Sequence, residues 1–402
     1  MESLRHLYKI GHGPSSSHTM GPESACKYIL KNYPNAKNII VTLYGSLALT
    51  GKGHLTDKII MDTLKDVKVS IIFNFDQIPQ HPNTMSFDLY DIHQHFIKKI
   101  DILSIGGGDI KILNITQKSL KVEKNIFPFN SFNEIKQYCI QENLTLSDFV
   151  YKFENKNIKN YLKKIYMTMK KSIENGISKA GELQGNLHVL RKAQQLYYAK
   201  KIKESTDISE LRLVSSYAFA VSEENADGGI IVTAPTCGAS GVLPAVLFYL
   251  KKKNHLTIND IIDALAVAGI VGNIIKHNAS ISGAYAGCQS EIGSACSMAA
   301  AAVAFLNHQS IEEIEYAAEI ALEHHLGLTC DPVNGLVQIP CIERNAVAAL
   351  RAIDAANLSK FLNGTRKVSF DTVVKTMYET GKDLNRKYKE TSIGGLAKNY
   401  NT

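Results

Sequence analysis

The feature that most constrains the fold is a change of hydrophobic period near residue 125. Before it, short β-branched runs such as 38–46 and 67–75 alternate with segments of helical spacing, which is typical of a small α/β domain. Beyond it, strand signals almost disappear and long segments of helical period follow one another. We therefore predict an α+β protein, with a sandwich-like α/β domain at 1–125 and a larger all-helical domain at 126–402.

The later segments contain clear helix starts. Ser310 precedes Glu313 by three residues, and Thr257 precedes Asp260 by the same spacing, so both hydroxyls fit N-cap positions. Several helices are dense in alanine and glycine, which lets helix axes approach closely in a buried bundle. A chain of 402 residues is long enough for each domain to bury its own core.

The longest uncharged run, 228–250, reaches the length of a membrane span. Two prolines, four glycines and several hydroxyls interrupt it, so we predict an extended segment, a tight turn and then a buried helix. The first 14 residues carry charges where a signal peptide needs an apolar core. We expect a cytoplasmic protein that does not cross a membrane.

The formal net charge of +7 is modest for this length, and the lysines are scattered along the chain. A nucleic-acid-binding surface would normally group basic residues with aromatic ones. The sequence therefore predicts no nucleic-acid partner.

The chain has seven cysteines and no CxxC pair, which argues against a disulfide framework. Three of them, Cys288, Cys330 and Cys341, lie in segments that interrupt the helical pattern with glycine or proline. Three thiolates are one short of a closed zinc site or a fully ligated [4Fe–4S] cluster, so spacing alone leaves a metal site, a nucleophile and an inert core open. For the remaining four we favour packing roles: Cys26, Cys139, Cys237 and Cys296.

The N-terminal half contains four polar segments: GPSSSHTMGP, YGSLALTGKGHLTD, HPNTM and SIGGGD. His18 and His54 each lie in a loop rich in glycine and hydroxyl groups, which suits ligand contact and proton transfer. The backbone N–H groups of the glycine triplet 106–108 could hold an anion such as a carboxylate.

Taken together, these segments resemble the iron–sulfur-dependent L-serine dehydratases in single-chain form. The stretches that carry the resemblance run in order along nearly the whole chain: GPSSSHTMGP, YGSLALTGKGHLTD, HPNTM, SIGGG, TAPTCGASGVLPAVL, NASISGAYAGCQSEIGSACSMAAAA, CDPVNGLVQIPC and KYKETSIGGLA. The resemblance implies a lyase that converts L-serine to pyruvate and ammonia, with a [4Fe–4S] cluster and no pyridoxal phosphate. It implies Cys288, Cys330 and Cys341 as cluster ligands, with one iron left open as a Lewis acid.

The resemblance also implies roles for the polar loops. His54 is our first choice for the base that removes the Cα proton, and His18 is the second. Substrate contacts are expected from Ser15, Ser16, Ser17, Thr19, Asn83, Ser104, Gly106 and Gly107. Relatives often end in a tail whose cysteine occupies the open iron, but this sequence has no cysteine after Cys341. We therefore expect a resting cluster with no protein ligand on that iron.

Several alternatives stay open at this point. A related lyase could act on L-cysteine or L-threonine, because exchanging the leaving group alters little that a sequence reveals. A non-enzymatic iron–sulfur amino-acid sensor would also explain a cluster and a small-ligand pocket. Pyridoxal phosphate is disfavoured, because the glycine-rich turn TCGASG has no lysine beside it. We expect a homodimer, although the sequence does not fix the oligomeric state.

Overall fold

A computed structural model describes residues 1–77, 79–113, 125–199, 204–362 and 364–400. Strands cluster in the N-terminal part and helices dominate the rest, so the predicted α+β class is confirmed. The strands are β1 (Ile10–His12), β2 (Asn38–Tyr44), β3 (Lys68–Asn74), β4 (Thr84–Tyr90), β5 (Phe96–Gly106), β6 (Asp109–Ile112) and β7 (Ile230–Val232). The helices are α1 (Gly21–Asn32), α2 (Ser46–Thr50), α3 (Thr56–Thr63), α4 (Phe132–Gln141), α5 (Leu146–Phe153), α6 (Ile158–Ser178), α7 (Ala193–Tyr198), α8 (Thr206–Ala226), α9 (Val242–Lys253), α10 (Ile258–Asn278), α11 (Gly283–Ala286), α12 (Ile292–Leu306), α13 (Ile311–Glu323), α14 (Cys341–Phe361), α15 (Phe370–Asp383) and α16 (Gly395–Asn399).

A five-stranded sheet in the order β3-β2-β4-β5-β6 forms the N-terminal layer. β2 and β3 pair in parallel, and the other neighbours are antiparallel. α1 and α3 contribute Cys26, Ile29 and Ile60 to a core with one face of the sheet. The predicted strands at 38–46 and 67–75 are β2 and β3, and their alternating burial reflects this single covered face.

The helical part is built around α12, which packs against α9, α10, α13 and α14. Ala299 to Ala302 are fully buried, and their small side chains allow these close helix contacts. The predicted starts at Thr257 and Ser310 are confirmed as capping boxes. The uncharged run 228–250 forms β7, a turn and buried α9, as predicted.

Within the described residues, one helix, α10, is long and apolar enough to cross a membrane by length and composition. In the protein, however, 78% of its most apolar 18-residue window is buried against other elements. α10 therefore has the packing of a core helix.

The first twenty residues join the two parts of the chain. Leu4, Leu7 and Tyr8 are buried in the helical core, and β1 pairs antiparallel with β7. This fixes the polar loop after β1 between the sheet layer and the helices. The division at residue 125 stays a prediction, and the neighbouring residues 114–124 lie outside the described part of the chain.

Candidate active site

The serine-rich loop is wound as one helical turn, Ser16–Met20, that leads directly into α1. The turn is wider than an α-helical one, since the N–H of Met20 bonds the carbonyl of Ser15 at 3.1 Å. Ser15 caps it, its hydroxyl accepting from the N–H of His18 at 3.1 Å. All five residues from Ser15 to Thr19 are buried, so their polar side chains face the protein interior.

His18 is held at both ring nitrogens. Its Nε2 lies 3.0 Å from the hydroxyl of Ser46, and that hydroxyl donates to the carbonyl of Glu390 at 2.6 Å. Because the Ser46 proton is committed, Nε2 of His18 must be the donor, and Nδ1 accepts from Ser17 at 2.9 Å. Burial lowers the pKa of His18 to about 4, so the ring is neutral at pH 7.

His54 stacks on His18, with ring centroids 4.6 Å apart. Its Nδ1 lies 2.8 Å from the carbonyl of Thr50, which can only accept, so Nδ1 carries a proton. The Nε2 atom is left 3.4 Å from the Glu390 carboxylate. The hydroxyl of Thr19 donates to the His54 carbonyl at 2.8 Å and fixes the backbone of this loop.

Glu390 is a member of this group that the sequence analysis missed. It is 5% exposed, and its carboxylate lies 3.6 Å from His18 and 3.4 Å from His54. Burial acts to raise the pKa of Glu390, but the two histidines and the N–H of Ala284 outweigh it and lower the pKa below its ordinary value. The only signal available was its position in KYKETSIGGLA, a stretch quoted as a whole with no residue singled out.

The three cysteines from the helix-interrupting segments face one small cavity of about 20 Å³, which we call the thiol cavity. Cys288 lies in the turn before α12, Cys330 is the first residue of the CDP segment and Cys341 begins α14. All three are free thiols. Ser15, His54 and Glu390 line the same cavity.

The C-terminal segment carries Glu390 to this cavity. The N–H of Glu390 donates to the carbonyl of Cys330 at 2.8 Å, and the N–H of Cys330 donates to Tyr388 at 2.8 Å. These two bonds fix the spacing between a cavity thiol and the carboxylate that faces the histidines.

The remaining cysteines are packed elsewhere. Cys26 and Cys139 belong to the hydrophobic cores, and the thiol of Cys296 donates to the carbonyl of Ala348 at 3.2 Å. Cys237 is 1% exposed, with its sulfur 3.4 Å from that of Met20. The core placements predicted for these four residues are confirmed.

Two ionisable residues that the sequence analysis missed, Arg344 and Glu291, affect the electrostatics of the thiol cavity. A hydrogen bond from Cys330 and the adjacent Arg344 guanidinium lower the pKa of Cys288 to about 7, against the effect of burial. Arg344 also donates to the carbonyl of Thr329 at 2.6 Å. Burial, followed by the charges of Glu390 and Cys288, raises the pKa of Glu291, which lines the same cavity.

The other predicted contacts lie around the loop and outside the residues that line the thiol cavity. Ser104 is buried and donates to the carbonyl of Ser17 at 2.7 Å. Asn83 is fully buried, and neither polar atom of its side chain has a partner within the described part of the chain. Gly106 and Gly107, both at positive φ, lie against Ser282 and Ile281.

Comparison with known proteins places this arrangement in context. The family model described as serine dehydratase beta chain matches residues 3–70, and the one described as serine dehydratase alpha chain matches residues 95–397. The L-serine dehydratase of Haemophilus influenzae is 38% identical, with 99% of each chain covered. L-serine dehydratase TdcG of Escherichia coli is 40% identical with the same coverage, and the L-serine dehydratase of Helicobacter pylori is 39% identical over 98% of each chain.

Proposed function

The chain belongs to the serine dehydratase family and is a lyase, and on that premise we propose that it converts L-serine to pyruvate and ammonia. Loss of the Cα proton and the β-hydroxyl gives aminoacrylate and water, and hydrolysis of the derived imine gives the two products. The observation that carries the proposal is one cavity lined by three free thiols, a histidine and two glutamates.

The proposed cofactor is a [4Fe–4S] cluster held by Cys288, Cys330 and Cys341. Their chemistry fits this group, because soft thiolate donors favour iron–sulfur clusters and the three thiols face one space. The guanidinium of Arg344 beside Cys288 favours the thiolate form that ligation needs. When bound, a cluster with three cysteine ligands supplies an open iron that acts as a Lewis acid toward the serine hydroxyl.

We assign the removal of the Cα proton to Nε2 of His54. Its Nδ1 proton is committed to the Thr50 carbonyl, so in the neutral ring the free lone pair is at Nε2, on the side of Glu390 and the thiol cavity. The negative charge of Glu390 stabilises the imidazolium that forms when the proton arrives. His18 is less suited to this step, because both of its ring nitrogens already have hydroxyl partners.

The proposed substrate contacts divide into two kinds. Ser15 lines the thiol cavity, and Asn83 offers a buried amide without a protein partner, so we propose direct contacts from these two. The hydroxyls of Thr19 and Ser104 donate to backbone carbonyls, which favours a role in holding the loop. The hydroxyl of Ser17 donates to His18, which likewise favours a positioning role, whereas Ser16 and the amides of Gly106 and Gly107 remain proposed contacts to the carboxylate.

The direct test is pyruvate formation by anaerobically purified protein supplied with L-serine, L-threonine or L-cysteine. We expect the highest kcat/KM with L-serine. A higher value with either of the other amino acids would make the chain a related lyase of the same family. The same preparation reports on the proposed homodimer through its mass in solution, and the proposed cytoplasmic location needs a separate fractionation of cells.

A further inference from the structure

A second cavity, of about 430 Å³, lies between the loops of the sheet layer and the C-terminal segment. We call it the outer cavity. Ser46, Ala284 and Thr391 line it together with three basic residues, Lys382, Arg386 and Lys389. None of these residues lines the thiol cavity.

Glu390 separates the outer cavity from the thiol cavity. The hydroxyl of Ser46 and the N–H of Ala284, both in the wall of the outer cavity, donate to the carbonyl and the carboxylate of Glu390. The Glu390 side chain itself lines the thiol cavity and faces His54. A small molecule in the outer cavity is therefore one residue away from the proposed base.

The charged side chains that line the outer cavity are all basic. Lys382, Arg386 and Lys389 line it, and no acidic side chain does so among the residues that the structure describes. The ammonium of Lys389 donates to the backbone carbonyl of Lys382 at 3.3 Å, which holds the Lys389 side chain against the end of α15. A concave surface lined by one sign of charge raises the local concentration of the opposite ion, and a guanidinium can bind a carboxylate through two parallel hydrogen bonds.

From this placement, we propose that the outer cavity is an entrance site that binds the carboxylate of the amino acid before it reaches the thiol cavity. The inference rests on the proposed function for the identity of its ligand, since L-serine and pyruvate each carry one carboxylate. Arg386 and Lys382 are its anion-binding groups. They act on capture of the substrate, and they take no part in the proton transfer at His54.

The test compares two double variants that lose the same charge. Lys382→Gln/Arg386→Gln removes two cations from the outer cavity, whereas Lys163→Gln/Lys171→Gln removes two exposed cations from α6. At low ionic strength we expect kcat/KM for L-serine to fall about 3- to 10-fold in the first variant and to be unchanged in the second. The difference should shrink in about 0.5 M salt, with kcat unaltered throughout. Equal kcat/KM in the two variants at low salt would overturn the proposal.

A second measurement does not depend on turnover. Saturation-transfer NMR with pyruvate reports carboxylate binding directly, and we expect a Kd several-fold higher in Lys382→Gln/Arg386→Gln than in the α6 variant. The same Kd in both would also overturn the entrance site. If the unmodified protein makes no pyruvate from L-serine, the proposed function fails, while this titration still decides whether the outer cavity binds a carboxylate.

Discussion

At the scale of single residues, the properties of the site depend on Glu390. Its backbone is at φ +56°, a left-handed conformation that a non-glycine residue adopts at a cost of about 1 kcal/mol or more. The hydrogen bonds of this segment to Cys330 hold it there. As a result, one buried carboxylate contacts both histidines and faces the cavity of the thiols.

Replacing the proposed base gives the first prediction. His54→Ala should lower kcat by about 10²- to 10⁴-fold, because no other group offers a free ring nitrogen at the same place. The visible absorbance of the cluster should not change, since His54 is not among the proposed ligands. His93→Ala, at an exposed position, is the matched control. Turnover that is unchanged in His54→Ala would remove this residue from the mechanism.

The second prediction concerns the carboxylate itself. Glu390→Gln keeps the size of the side chain but removes the charge that stabilises protonated His54, so we expect kcat to fall on the order of 10²-fold with a smaller effect on KM. Glu379→Gln removes an exposed carboxylate from α15 and should leave kcat unaltered. A change confined to KM would instead assign Glu390 to substrate binding.

The sequence singled out the histidines and cysteines because their residue types and their loops already carry chemical information. Glu390, Glu291 and Arg344 could not be found in the same way. Glutamate and arginine are common on protein surfaces, and their importance here arises from contacts between segments far apart in the chain. The local sequence pattern does not indicate such contacts.

At the scale of elements, the start of α7 depends on a residue of α8. Glu223 is 1% exposed and accepts from the N–H groups of Lys192 and Ala193 at 2.6 and 3.1 Å. These two hydrogen bonds lower the pKa of Glu223, but burial has the larger effect and raises the pKa to about 7. An unfolded glutamate titrates near 4.3, so between these pH values the folded protein binds the additional proton.

This difference predicts how stability depends on pH. The contribution of Glu223 to the free energy of unfolding should decrease as pH rises from about 5 to 8, because Glu223 must ionise inside the folded protein but is already ionised in the unfolded chain. In Glu223→Gln the free energy of unfolding should therefore fall less over the same pH range than in the unmodified protein, by a difference on the order of 2 kcal/mol. Urea unfolding at both pH values measures it, with Glu379→Gln as the reference. Identical pH slopes in the two variants would contradict this assignment.

Elements were predictable wherever a local signal sufficed. Period and capping residues identified α10 and α13, and β-branched runs identified β2 and β3. The pairing of β1 with β7 could not be foreseen, because these three-residue strands are more than two hundred residues apart. The wide turn at Ser16–Met20 has no sequence signature of its own.

At the scale of the whole molecule, one charged cluster connects the sheet layer to the helices. Asp109, at the start of β6, pairs with Lys9 beside β1 and with Lys276 of α10 at 3.1 Å. Lys276 also pairs with Glu2 at 3.0 Å. The cluster joins three parts of the chain: Asp109 belongs to the sheet layer, Glu2 and Lys9 to the N-terminal segment, and Lys276 to the helical core. It therefore fixes the sheet layer against the other two.

Asp109→Asn should therefore weaken the contact between the two layers. The change leaves two partly buried lysines without their shared carboxylate, and we expect the free energy of unfolding to fall by about 1–3 kcal/mol. Urea unfolding at constant pH measures the effect. Asp66→Asn, which changes an exposed carboxylate, should stay within about 0.5 kcal/mol of the unmodified protein. A loss of equal size in both variants would show that the cluster adds nothing specific.

The most direct measurement is iron and acid-labile sulfide in anaerobically isolated protein, assayed for L-serine turnover on the same sample. The account predicts coloured protein with about four irons and four sulfides per chain that makes pyruvate. Cys330→Ser should lose both the metal and the activity, whereas Cys296→Ser, which alters a packed core thiol, should keep the metal. Colourless, metal-free protein that still forms pyruvate from L-serine would contradict the account.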